Sequence, residues 1–100
     1  MLSGSELNPT EHMAARLITY HLKSPEKADY EGLAQVLQTY DYMQLSETCY
    51  AIATDEYPKD VFEKLEPFID PDDCLVVIVL SRFYMAHHDK QVLEWLEANV

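Results

Sequence analysis

The side chains able to bind a metal or move a proton are unevenly spread along this 100-residue chain. His87-His88-Asp89 sets two imidazoles and a carboxylate in a row, the ligand types of a zinc centre. Neighbouring side chains diverge, however, and no later Cys, His or Glu completes a ligand motif. His21 stands near the end of an apolar stretch. It offers a ligand or a proton carrier, and two copies of it could face each other across a dimer. With no partner at ligand spacing it reads as a hydrogen-bonded interface histidine. Asp70, Asp72 and Asp73 suggest calcium, but the loop glycine and distal glutamate are missing, which leaves a turn and a strand start. Cys49 and Cys74 have no basic neighbour to activate them. Ser24, Ser46 and Ser81 lack a nucleophile signature. Gly4 and Gly32 are the two glycines, too few for a phosphate-cradling loop. No cofactor or metal is expected, and His21, His87 and His88 are the side chains that would hold a metal if one bound. Tyr20, Tyr40, Tyr42, Tyr50 and Tyr84 could stack bases, but without interleaved Lys or Arg they read as core and interface.

The elements that position these groups follow from apolar periodicity. Cys74-Leu75-Val76-Val77-Ile78-Val79-Leu80 is an unbroken, β-branched run between Asp70-Pro71-Asp72-Asp73 and Ser81-Arg82, and it predicts a strand buried on both faces. Ala15 to Leu22 alternates as a strand, with Leu17, Thr19 and His21 on one face and Ile18, Tyr20 and Leu22 on the other. Pro25 ends it in a polar loop. Asp29 to Tyr40 reads as a helix capped by Asp29, with Tyr30, Leu33, Leu37 and Tyr40 as its apolar stripe. Tyr42 to Thr54 divides at Leu45-Ser46-Glu47 into a short strand and a longer one. In the longer strand Thr48, Tyr50, Ile52 and Thr54 share one face, and the small Cys49, Ala51 and Ala53 share the other, where something can pack closely. Pro58 suits a first helical turn, Val61, Phe62, Leu65, Phe68 and Ile69 carry helical spacing, and Pro67 stops the helix near Glu66. Asp89 stands where it would cap a last helix, Lys90 to Asn99, with Val92, Leu93 and Leu96 inward and Trp95 beside them.

This βαββαβ order with a short C-terminal helix predicts an α+β, ferredoxin-like two-layer sandwich, with an antiparallel four-stranded sheet and two helices on one face. Residues 1–13 are expected to be a flexible tail and 14–100 a single domain. The apolar strand carries large side chains on both faces, and two helices cover one. A second copy must meet the other in a two-fold homodimer, unless the C-terminal helix folds back over it. Tyr20, Leu75, Val77 and Val79 are the expected dimer surface.

Seven basic residues against 18 acidic ones leave a formal net charge of −11, which disfavours binding to a phosphate backbone. The acids concentrate between Asp55 and Asp73, with Lys59 and Lys64 as the only basic residues there. Such a run reads as a solvated face. Its alternative role is to meet a basic protein partner or to mimic nucleic acid. No apolar stretch approaches the roughly 20 residues needed to span a bilayer, and the polar start is unlike a signal peptide. Two cysteines inside predicted strands are expected to be reduced core thiols, which fits a cytoplasmic protein.

Several segments together resemble the small CRISPR-associated Cas-two-like proteins. They are strand one ending in Tyr20-His21, the run Tyr40-Asp41-Tyr42-Met43-Gln44-Leu45-Ser46-Glu47-Thr48-Cys49-Tyr50-Ala51-Ile52, the helix from Pro58 to Phe68, the turn Ile69-Asp70-Pro71-Asp72-Asp73 and the strand Leu75 to Leu80. The Asp29-Tyr30 helix start and the terminal Trp95-Leu96 helix are similar to the SinR-like branch. The resemblance covers about residues 15–97. It implies a ferredoxin-like homodimer with its two sheets packed face to face. In the metal-dependent nuclease members an aspartate follows the tyrosine at the end of strand one and binds the metal. His21 holds that position here, and imidazole substitutes poorly for a hard oxygen ligand to magnesium. The resemblance therefore implies a scaffold or interaction protein without catalysis. A magnesium- or manganese-dependent nuclease using His21, Asp29 or Asp41 is the alternative. The charge suggests a further one, an acidic inhibitor of a nucleic-acid-binding protein.

Overall fold

The computed structural model describes residues 15–23 and 27–100, with side chains from Tyr30 onward in the second stretch. The expected tail at 1–13 and the loop around Pro25 lie outside the described residues. Seven elements follow one another: β1 (Ala15–His21), α1 (Lys27–Leu37), β2 (Asp41–Ser46), β3 (Cys49–Ala53), α2 (Pro58–Leu65), β4 (Cys74–Val79) and α3 (Lys90–Asn99). The strands form an antiparallel α+β sheet in the order β2-β3-β1-β4. β1 is central, pairing Ile18 with Tyr50 on one side and with Val77 on the other.

Period-two alternation sends Ile18, Tyr20 and Leu22 to one face, where they meet Leu33 and Leu37 of α1, Val61 and Leu65 of α2, and Tyr50 and Ile52 of β3. The opposite face holds a second, smaller cluster. Ala15 and Ala51 lie there under Val92, Leu96 and Val100, with Met43, Leu45, Leu80 and Trp95 at its margin. Of the small side chains of β3, Ala51 is thus the one against which α3 packs.

Several boundaries differ from the sequence expectation. Helix α1 begins at Lys27, so Asp29 is not its cap. It ends at Leu37, where Thr39 Oγ1 donates to the Val36 carbonyl at 2.6 Å and draws the chain into a turn before Tyr40. The hairpin turns at Glu47-Thr48, so β2 runs on through Ser46, with an irregular register between Gln44 and Ser46. Pro58 opens α2 as expected, and Pro67 sits within a 3-10 turn, Glu66–Phe68, that finishes it. Strand β4 is not buried on both faces. It is an edge strand, and Val76 and Ile78 are 44% and 47% exposed. Cys74 is exposed and Cys49 half-buried, so neither is a core thiol. For β4 and Cys74 the physical reason is shared: α3 packs toward β2 and β3 on its face and leaves the β1–β4 half open.

Candidate functional site

The uncovered half of the sheet is built from two strands in tight register. Leu17 faces Ile78, Thr19 faces Val76 and His21 faces Cys74. These side chains share the side of the sheet opposite α1 and α2. Leu17 and Thr19 are half-buried, while His21, Cys74, Val76 and Ile78 are exposed. The chain then leaves β4 and runs through residues 81–89, every one of them exposed, before α3 begins. On this connector Phe83 and Met85 are each 97% exposed and Tyr84 37%.

Two polar contacts fix α3 over the other half. His88 Nδ1 accepts the Asp89 backbone N–H at 2.8 Å, which leaves Nε2 to carry the ring proton of the neutral imidazole. Nε2 lies 2.8 Å from the Leu45 carbonyl on β2 and donates to it. Trp95 Nε1 donates to Asp41 Oδ1 at 3.2 Å. Of the histidine pair, His88 thus spends both ring nitrogens on backbone partners, and Asp41 serves as an anchor for the helix. His87 is exposed.

The expected dimer surface needs correction. Tyr20 is 5% exposed within the helix-side core, and Leu75 and Val77 pack against that same cluster. Val79 pairs with Arg16, so it shares the helix side as well. The helices sit over Leu75 and Val77, not over Val76 and Ile78. The two sets are chemically alike, and this choice of face carried no signal in the sequence. The open residues are instead Leu17, Thr19, Val76 and Ile78. Phe83 and Met85 were also missed, because Arg82 to His88 has no period.

Around the acidic run, charges are tied down locally. The Asp73 carboxylate accepts the backbone N–H of Asp70 at 2.8 Å and of Lys23 at 2.9 Å. These two bonds, with a smaller contribution from nearby His21, hold its pKa below the usual value. Glu56 accepts from Tyr40 Oη at 2.6 Å and from Lys64 Nζ at 2.7 Å. Lys64 also donates to Tyr40 Oη at 3.1 Å. Hydrogen bonds from Lys64 and then Tyr40 lower the Glu56 pKa, while those to Glu56 and Tyr40 raise that of Lys64. Arg16 is 4% exposed, and its Nε donates to the Glu56 carbonyl at 2.8 Å. This buried cation, absent from the sequence expectation, joins the start of β1 to the loop before α2. Among the described residues no group of three or more His, Cys, Asp or Glu comes together in a way that could hold a metal ion. Among them, too, no helix is long and apolar enough to cross a membrane.

No protein-family model matches the chain, and comparison with curated proteins gives no significant match.

Proposed function

We propose that this chain is a small acidic scaffold or interaction protein that works as a homodimer, a ferredoxin-like domain of the SinR-like and Cas-two-like type without catalysis of its own. The observation that carries the reading is the uncovered β1–β4 strip, where Val76 and Ile78 are nearly half exposed on an uncharged edge strand. Contiguous exposed apolar side chains of this kind mark interaction surfaces. The strand order β2-β3-β1-β4, with α1 and α2 as its crossovers, supports the ferredoxin-like reading.

A second copy is the proposed occupant, and it must meet the strip against a net charge that opposes association. Like-charged chains repel, and the chain carries a net charge of −11. Leu17, Thr19, Val76 and Ile78 carry no charge, so two strips can meet with the acids kept apart. One patch that complements itself gives a two-fold axis. Each fully buried Val, Leu or Ile side chain is worth about 1.5–3 kcal/mol against the rigid-body cost of association. Free thiols at Cys49 and Cys74 fit a reducing, cytoplasmic setting.

Light scattering after size exclusion tests the reading. The wild type is expected as a dimer, and Val76→Asp combined with Ile78→Asp as a folded monomer. A wild type that stays monomeric at high micromolar concentration overturns it. Val77→Asp does not serve as the probe, because Val77 belongs to the helix-side core.

A further inference from the structure

On the helix side of the sheet, at the end where β2 turns into β3, the fold leaves a cleft of about 420 Å³. That is within the range of sites that take small organic groups, roughly 300–1,000 Å³. Its walls come from three separate elements: Tyr20 of β1, Tyr30 and Glu31 of α1, and Gln44, Glu47 and Tyr50 of the hairpin. The rings of Tyr20 and Tyr30 meet at 49° with centroids 6.1 Å apart, so they form a corner rather than a stack; Tyr20 and Tyr50 are buried and back the cleft, and Tyr30 is the half-buried ring that a ligand meets.

The hairpin wall is held in place. Thr48 O accepts the Tyr20 backbone N–H at 3.1 Å, and the Tyr20 hydroxyl donates to the Glu47 carbonyl at 3.2 Å. Burial, with the neighbouring Tyr50, Tyr30 and Cys49, pushes the Tyr20 phenol up to about 12, so its hydroxyl keeps the proton it donates to Glu47. Glu31 and Glu47 are both exposed at the rim, and neither belongs to an ion pair among the described residues. The start of α1 adds an opposing partial charge of about +0.5, which two full negative charges outweigh.

Tyrosine rings attract cations through their faces, and an alkylated cation loses little hydration on entering. Two rim carboxylates strengthen that attraction and exclude anions such as phosphates. We infer that this cleft binds a quaternary or methylated ammonium group. The inference is independent of self-association, because the cleft and the open β1–β4 strip lie on opposite faces of the sheet.

Amide chemical-shift titration of the full chain tests it. Choline is compared with 3,3-dimethyl-1-butanol, its uncharged isostere. Saturable shifts are expected around Tyr30–Ala34 and Gln44–Thr48 with choline, at least about fivefold tighter than with the isostere. Tyr30→Leu keeps apolar bulk but removes the ring, and it is expected to weaken choline by roughly fivefold to thirtyfold while leaving the isostere unchanged. Glu31→Gln with Glu47→Gln is expected to weaken choline and flatten its salt dependence. A peptide carrying trimethyl-lysine identifies the source. Tighter binding than choline points to a side chain of a partner protein, and equal binding to a free small molecule. Equal affinity for choline and its isostere, or no saturable shift with choline, overturns the inference.

Discussion

On the helix side of the sheet Ile18, Leu33, Leu37, Ile52, Val61 and Leu65 are each at most 1% exposed. On the other side the buried hydrophobic cluster is Ala15, Ala51, Val92, Leu96 and Val100, and half of that face is open. One sheet thus presents two kinds of surface. The helix side is closed by large side chains from four elements, locked together as a single packing unit. The far side is closed by one helix resting on alanines, reached through nine exposed residues and pinned by a histidine and a tryptophan. The difference teaches that residue size, more than hydrophobicity, marks which face of this sheet holds the fold together. Ala51 and Ala15 admit a helix but give it little to grip.

Truncation on each side is the strongest way to break this comparison. Leu33→Ala is expected to cost about 3–5 kcal/mol of global stability, and Leu96→Ala only about 2 kcal/mol, in urea unfolding followed by circular dichroism. Amide hydrogen exchange sharpens the contrast, because Leu96→Ala should expose α3 while β1 stays protected. Equal losses, with α3 and β1 opening together, would mean that the two sides form one cooperative unit.

A smaller effect is expected where α1 meets the 3-10 turn. A Cβ on Gly32 would come to 2.5 Å from Phe68 Cδ1, with Cε1 of that ring tighter still and Cζ at 3.1 Å. Overpacking of this kind costs about 1–3 kcal/mol, offset by the roughly 1 kcal/mol that Ala gains over Gly in a helix. Gly32→Ala is therefore expected to lower stability by about 1 kcal/mol in the same unfolding measurement. A stabilised variant would show that the helix side yields more readily than its burial suggests.

The smallest effect concerns the Glu56–Tyr40–Lys64 network at the margin of the helix side. The Glu56 pKa is lower in the folded chain than its ordinary value of 4.5. Its contribution is present above that ordinary value and is lost as pH falls through the lowered one. Lys64 is exposed and Glu56 only half-buried, so solvent screening leaves the network worth about a few tenths of a kcal/mol. Thermal melts from neutral to acid pH should show a shallower acid decline for Glu56→Gln than for wild type. Parallel curves would count against the network.

β1 was legible because alternation with period two survives in Ala15–His21, and β4 because Cys74–Val79 is a short, unbroken, β-branched apolar run. The second helix was legible because Pro58 and the Val61–Leu65 spacing agree. What the chain did not announce was the covered side of β4, since Leu75 and Val77 are indistinguishable in kind from Val76 and Ile78. The hairpin tip was misplaced by about a residue, because Leu45 and Ser46 look like a turn locally while the bonds between Tyr20 and Glu47-Thr48 that fix it span distant positions. The cleft was invisible for the same reason. Its three tyrosines come from three elements, and no spacing along the chain links them. His88 illustrates the opposite failure: beside His87 and Asp89 it looked like a ligand, and both ring nitrogens turned out to hold backbone.

Strand β4 has a consequence for the chain before it is folded. Six apolar residues of high β-propensity, without charge or proline, are the sort of segment that stacks into cross-β aggregates. Here the segment lies at a sheet edge, where newly made or partly opened chains present it first. Asp70, Pro71, Asp72 and Asp73 on one flank and Arg82 on the other act as gatekeepers that deny it a continuous register. The acidic turn thus serves solubility as well as geometry: the same strand that offers a surface for association is kept from offering it indiscriminately.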